Sequence, residues 1–143
     1  MTARGVLLLL FFPWALVLAQ GQATWPCADE VAKTGPYSRV LNVGTPISND
    51  GLVERRVLPD ISDIKGKRLT SSVAVDVILD LDGKVACAHA KGNADPLATR
   101  SVEAAKQWKF KPYLLNDKPI PIQTQIVFVF KRDAGGTTVA SRN

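Results

Sequence analysis

Val73-Ala74-Val75-Asp76-Val77-Ile78-Leu79, followed by Asp80-Leu81-Asp82-Gly83-Lys84, is the stretch on which the fold turns. In an extended chain Val73, Val75, Val77 and Leu79 share one face while Ala74, Asp76, Ile78 and Asp80 share the other. That period of two leaves a mostly apolar face in need of a cover. Asp82-Gly83 can take positive φ, so the chain should reverse there and return over Lys84 to Lys91 as a hairpin. A two-residue loop would set Cys87 opposite Ile78, His89 opposite Asp76, and Ala86, Ala88 and Ala90 opposite the valine face. A three-residue loop would flip the parity and put Cys87 and His89 on the core face. Burying an unpaired histidine is costly, which favours the first register or one restored by a bulge. Asp80-Leu81-Asp82-Gly83 also has the look of a calcium-loop fragment. Lys84-Val85-Ala86 follows where further oxygen ligands are needed, and the hairpin reading prevails.

Downstream, Asp95-Pro96 reads as a helix start, with Asp95 as cap and Pro96 at the first helical position, where no amide donor is required. At helical spacing Leu97, Ala98, Ser101, Ala104, Ala105 and Trp108 lie on one arc and Thr99, Arg100, Glu103, Lys106 and Gln107 on the opposite one. Small residues on the apolar arc permit close approach to Ala86, Ala88 and Ala90, with Trp108 and Phe110 filling the far end of the core. Lys111-Pro112 closes the helical region, and Asn116-Asp117-Lys118 makes a turn. The last strand runs over Gln123 to Lys131, with Thr124, Ile126, Phe128 and Phe130 on one face. The core expected from these patterns includes Val75, Val77, Leu97, Ala105, Trp108, Phe110 and Phe128.

Upstream the signals are weaker. Asp29 to Lys33 is long enough for one helical turn, Ser38 to Val43 and Leu52 to Leu58 alternate well enough for short strands, and Asn49-Asp50-Gly51 marks a turn. At the N-terminus Arg4 precedes an apolar run from Gly5 to Leu18, and Val17-Leu18-Ala19 precedes Gln20 in a cleavage-like pattern, the form of a secretory signal peptide. The run is about 15 residues, short of the roughly 20 that cross a bilayer, and Pro13 interrupts it. The rival reading is an uncleaved inner-membrane anchor. On the first reading the mature chain has no membrane span and is exported or periplasmic.

The length of 143 residues suits one domain with ends. Expected boundaries are 1–19 for the signal peptide, 20–52 for a lead-in with a short strand, 53–132 for the folded domain and 133–143 for a disordered polar tail. The net charge is +5, from 18 basic and 13 acidic side chains. The basic residues are scattered among acids and apolar residues, and the aromatics follow core spacing, so a nucleic-acid surface is not expected. Cys27 and Cys87 are an even pair in an exported chain, which suggests a disulfide; the alternative is two unpaired thiols. A bridge closing a loop of this size would stabilise by roughly 4 kcal/mol in the chain-entropy model.

His89, Cys87 and Asp76 are the only set that suggests nucleophilic catalysis. On one strand Cys87 and His89 would stand about 6.5 Å apart, too far for the hydrogen bond that activates a thiol. One histidine and one cysteine also leave a metal site short of ligands. No catalysis, cofactor or metal is expected.

Five signatures recur in order over the second half of the chain: Val73 to Leu79; Asp82-Gly83-Lys84-Val85; Ala104-Ala105 to Trp108-Lys109-Phe110-Lys111-Pro112; Asn116-Asp117-Lys118-Pro119; and Ile126 to Phe130. Together they resemble the C-terminal domain of the TonB family, here without the membrane-tethered Pro-rich spacer. Leu58-Pro59-Asp60-Ile61-Ser62 stands where family members commonly carry a Pro-x-Tyr-Pro-like motif. The resemblance implies an α+β fold, a two-layer sandwich in which a small antiparallel sheet of β-β-α-β core carries one helix on a face, with extra N-terminal strands. It implies a non-enzymatic periplasmic module that binds an extended segment of an envelope or outer-membrane transport protein by strand addition. The edge expected to receive that segment is Gln123, Gln125, Val127, Val129 and Lys131, entered past Pro119 and Pro121. Alternatives are a structural or carrier module whose sheet is covered by its own N-terminal segment, stapled through Cys27 and Cys87, and, for assembly, a homodimer.

Overall fold

A computed structural model describes residues 27, 40–43, 51–66, 69–92 and 95–142, the side chain of Arg142 excepted. The signal-peptide and anchor readings over 1–19, the helical turn at Asp29 to Lys33 and most of the 20–52 lead-in lie outside the described residues. Among the described residues no helix is long and apolar enough to cross a membrane.

The fold is α+β, rich in strand, with one helix among the described elements. The strands are β1 (Leu41–Asn42), β2 (Val53–Arg55), β3 (Leu69–Leu79), β4 (Val85–Ala90), β5 (Lys109–Phe110), β6 (Leu114–Leu115), β7 (Lys118–Pro119), β8 (Ile122–Asp133) and β9 (Gly136–Arg142). The helix α1 spans Pro96–Lys106. In the main sheet β4 pairs with β3 and β3 with β8. The far side of β8 is shared by β1, parallel to it at one end, and β9, antiparallel to it at the other. Short pairs β2–β5 and β6–β7 lie outside that sheet.

The β3–β4 hairpin takes the bulged form of the expected register. Asp80 N–H donates to the Lys84 carbonyl at 2.9 Å, leaving three residues, Leu81 to Gly83, as the loop. Asp80 Oδ1 accepts from the N–H groups of Asp82 and Lys84, each at 2.9 Å, and these bonds hold the turn. The parity is therefore flipped at Leu79↔Val85, and a shift before Ile78↔Cys87 restores it, so that Asp76 faces His89 and Val77 faces Ala88. The bulge has a cost at one position. Ala86, expected under the helix, is exposed, and Val85 packs on the core beside Ala88 and Ala90 in its place.

Gly83 is needed twice at this turn. Its φ is +75°, and a Cβ there would meet the Phe110 carbonyl oxygen at 2.0 Å. Phe110 N–H donates to the Gly83 carbonyl at 2.9 Å, so neither backbone can withdraw without losing a bond. Gly83→Ala should destabilise the fold by on the order of 2 kcal/mol or more, combining left-handed strain with a backbone clash. Equilibrium urea unfolding checks this; a loss under about 0.5 kcal/mol would mean that the contact relaxes freely.

The helix forms as its signals dictate. Asp95 Oδ1 accepts from the Ala98 N–H at 2.7 Å, Pro96 opens the first turn, and Leu97, Ala98, Ser101, Ala104 and Ala105 are buried. The Ser101 hydroxyl donates to the Leu97 carbonyl at 2.7 Å, which satisfies the one polar group on that face. α1 lies over β3 and β4, and Val75, Val77, Phe110 and Phe128 are fully enclosed in the core.

The end of the core near Phe130 is closed by residues 57–66. Arg132 gathers this stretch: Nη2 donates to the Ile61 carbonyl at 3.0 Å, Nη1 to the carbonyls of Ile64 and Gly66, and Nε to the Thr137 hydroxyl at 2.8 Å. Pro59 and Ile61 are buried under this grip. Asp60 accepts the Ser62 N–H at 2.9 Å, and that bond holds its carboxyl below the ordinary carboxylate range.

Two expectations fail. Residues 133–143 were expected to be disordered, yet Gly136–Arg142 is β9, paired in register from Asp133↔Gly136 to Val127↔Arg142. The turn is made by Asp133, whose Oδ1 accepts the Gly135 N–H at 2.9 Å, and Val139 then packs toward the core. A polar strand of this kind is held by its backbone ladder and carries almost no apolar pattern to announce it. Its presence overturns the second expectation, that Gln123 to Lys131 is an edge.

Candidate functional site

In β8 the odd-numbered residues turn N–H and C=O away from β3. At the start of the strand these groups serve β1: the Pro121 carbonyl accepts from Leu41 N–H at 3.2 Å and the Gln123 carbonyl from Val43 N–H at 3.0 Å. Toward the other end Val127, Val129 and Lys131 stand opposite Arg142, Ala140 and Thr138 of β9. Gln123, Val127, Val129 and Lys131 are therefore covered in two sections by the chain's own segments, and Gln125 falls between those sections.

Among the described residues β4 pairs with β3 alone. Lys91 N–H donates to the Ala74 carbonyl at 3.0 Å, so by strand alternation Cys87 and His89 also turn their backbone groups toward β3. Ala88 and Ala90 then present N–H and C=O to the open side. Their methyl groups lie on the helix face, packed against the core.

The open edge borders a groove. After β4 the chain climbs into α1, which runs back along the sheet until Lys109 bridges to Lys84 beside the start of β4. Between edge and helix lies a cavity of about 380 Å³ with Ala90, Ala98 and Val102 among its lining, and Thr99, Glu103 and Lys106 at its rim. Small residues on both α1 and β4 let the two approach and leave this groove between them, with His89 and Gly92 also along it. Val102 is half-buried and forms part of its apolar wall.

On the opposite face of the sheet lie Cys27 and Val40. Cys27 is bonded to Cys87 with Cα atoms 5.7 Å apart, and it is buried against Ile78, with Val40 and Cys87 packed beside them. The bridge is the one expected from the cysteine count. It ties residue 27 to β4, while β1 ties residues 41 and 42 to the far side of β8.

Of the residues weighed for catalysis, Cys87 and Asp76 are engaged elsewhere, and His89 stands opposite Asp76. Cys87 is in the disulfide, and the buried Asp76 carboxylate accepts from Gln125 Nε2 at 3.0 Å and pairs with Lys91 Nζ at 3.4 Å. His89 is exposed on the same face. Of the residues singled out from sequence, the core set is buried and the cysteines meet. The residues of the groove and open edge, Ala88, Ala90, Val102 and Lys106, were read only as packing or solvated positions. Their one signal was the small-residue pattern on both β4 and α1.

No family model matches the chain, and neither a curated protein nor a solved structure does.

Proposed function

We propose that this protein is a non-enzymatic interaction domain of the cell envelope that binds an extended segment of another protein by strand addition, and that β4 is the receiving edge. The observation that carries the reading is the one-sided pairing of β4, among the described residues, beside a groove. An added strand would take up the backbone groups of Ala88 and Ala90 and place alternate side chains against α1. The strand–turn–strand–helix–strand order, with α1 against β3 and β4, supports a two-layer arrangement like that of the TonB C-terminal domain. The apolar N-terminal run supports export, and an envelope or outer-membrane protein is the partner consistent with that address. β9 is also paired on one side only among the described residues, with exposed threonines along it.

Proline distinguishes these edges. At Ala88 the amide points to the open side, so Ala88→Pro should leave the β3–β4 ladder bonds in place and abolish partner capture from envelope extracts. Ser141→Pro, which removes an outward amide on β9, should leave capture intact. Circular dichroism melts of both variants verify folding. Equal capture by wild type and a folded Ala88→Pro variant would defeat the reading.

A second reading rests on its own observation. The disulfide and β1 secure both ends of an N-terminal segment against the sheet, as a self-contained structural or carrier module would require. On that reading the Ala88→Pro variant would bind everything the wild type binds.

A further inference from the structure

The hairpin of β6 and β7 pairs with no other strand among the described residues and carries their two most exposed large apolar side chains. Leu115 stands opposite Lys118 and Leu114 opposite Pro119, Ile120 N–H donates to the Tyr113 carbonyl at 2.9 Å, and Asn116 and Asp117 close the tip with φ of 51° and 61°. Two successive left-handed residues make the tight turn of a short ribbon. We infer that this tip inserts among the headgroups of a lipid surface and docks the protein there. Successive strand residues point to opposite faces, yet Leu114 is 56% exposed and Leu115 49%, so both faces of the ribbon present leucine to solvent. A protein groove that covered one face would leave the other leucine in water. The boundary of headgroups and acyl chains surrounds a tip and takes both.

The base of the ribbon continues the apolar surface. A cavity of about 610 Å³ beside it is lined by Leu52, Lys111, Pro112, Tyr113 and Leu114, with no acidic side chain among these described residues. Lys111 N–H donates to the Leu52 carbonyl at 2.8 Å and holds the two walls together. Leu41 is exposed beside Pro121, where the ribbon joins β8. Three of the four exposed large apolar side chains of the described residues thus gather at this end, and the fourth, Leu58, lies beside α1. Tyr113, half-buried at the base, has the apolar body and polar tip suited to headgroup level. Over 111–121, Lys111 and Lys118 carry two positive charges against the one negative charge of Asp117, a net +1. Lys84 and Lys109, joined by a bridge next to this stretch, are matched in number by Asp80 and Asp82. Insertion of the leucines therefore supplies most of the affinity, and lysine stems that keep their ammonium groups among the headgroups add a modest preference for anionic lipid.

Flotation with phosphatidylcholine vesicles, with and without phosphatidylglycerol, tests this on the whole chain; wild type and variants share one N-terminus, so a difference between them reads the hairpin. Wild type should bind both vesicles, the anionic ones about fivefold more tightly, the worth of one net charge near the surface. Leu114→Ser/Leu115→Ser should lower affinity for both at least about tenfold, and Lys111→Gln/Lys118→Gln should remove the anionic preference. Emission of Leu115→Trp should be quenched by brominated acyl chains beyond the wild-type level, while Leu58→Trp, at a similarly exposed position beside α1, should show no such excess. Circular dichroism melts verify that each variant folds. Failure of wild type to bind either vesicle, unchanged affinity in the serine pair, or excess quenching that is missing from Leu115→Trp or equal in Leu58→Trp overturns the inference. So does self-association in sedimentation equilibrium that the serine pair abolishes, which would assign the leucines to a second copy of the chain. The hairpin shares no residue with β4 or its groove, so lipid docking and strand addition stand or fall separately.

Discussion

Trp108→Ala is expected to destabilise the domain by about 3–5 kcal/mol, the range for deleting a large enclosed aromatic. Trp108 is 4% exposed and packs edge-on to Phe128 at 5.9 Å and tilted against Phe110 at 5.7 Å. Its ring therefore joins the end of α1 to both β5 and β8. Nε1 donates to the Val57 carbonyl at 2.7 Å, which ties the 57–66 stretch to the core. Arg56 lies over the ring at 5.8 Å and adds a smaller cation–π contribution. Truncation would open a cavity and leave the Val57 carbonyl without its partner. Trp108→Phe separates the two effects: it keeps most of the packing and loses the hydrogen bond, at about 1–3 kcal/mol. Urea unfolding followed by far-ultraviolet circular dichroism gives both values. A Trp108→Ala loss below about 1 kcal/mol would mean that the ring belongs to a binding surface and contributes little to the core.

Loss of the disulfide is the second large effect. Cys27 and Cys87 are 60 residues apart, and joining them removes a long loop's freedom from the unfolded chain. The double substitution Cys27→Ser/Cys87→Ser should cost about 2–5 kcal/mol. The same covalent tie holds the Cys27–Ile78 cluster closed, so part of this loss should appear as exposure on the outer face of β3. Protein purified without reductant should take up no thiol label under denaturing conditions. Two labelled cysteines per chain would refute the bridge and the stapled N-terminal segment together. Hydrogen exchange on the serine variant gives a finer check: amides near Cys87 should lose protection before those of β8, which has a strand on each side.

The local parts of this fold were legible because each depends on neighbours in sequence. The valine face of β3, the Asp95 cap with Pro96, the small-residue arc of α1 and the burial of Trp108, Phe110 and Phe128 follow from periodicity and capping, and each appears in its expected place. The pairing of Ile78 with Cys87 was legible too, since placing His89 on the core face would bury it unpaired; the bulge that delivers this pairing moved only Ala86 outward. The cysteine pair could be proposed from parity and export alone.

Which strand would be an edge depended on tertiary structure, and the candidate site depends on that. Alternation in Gln123 to Lys131 specifies which side chains face the core, but the outward N–H and C=O groups of β8 look the same in sequence whether solvent, β1 or β9 receives them. β9 escaped notice because Gly136–Arg142 has a single apolar side chain on the core and is held mainly by backbone bonds to β8. β1 falls within the strand read at Ser38 to Val43, and cover by the N-terminal segment was one of the alternatives, but alternation does not say which strand receives it. Sequence determined the elements, their buried faces and the cysteine pair. Only the folding of β1 and β9 onto β8 left β4, and not β8, with an open side among the described residues, because backbone hydrogen-bonding capacity is the same for nearly every residue and is allotted by long-range proximity.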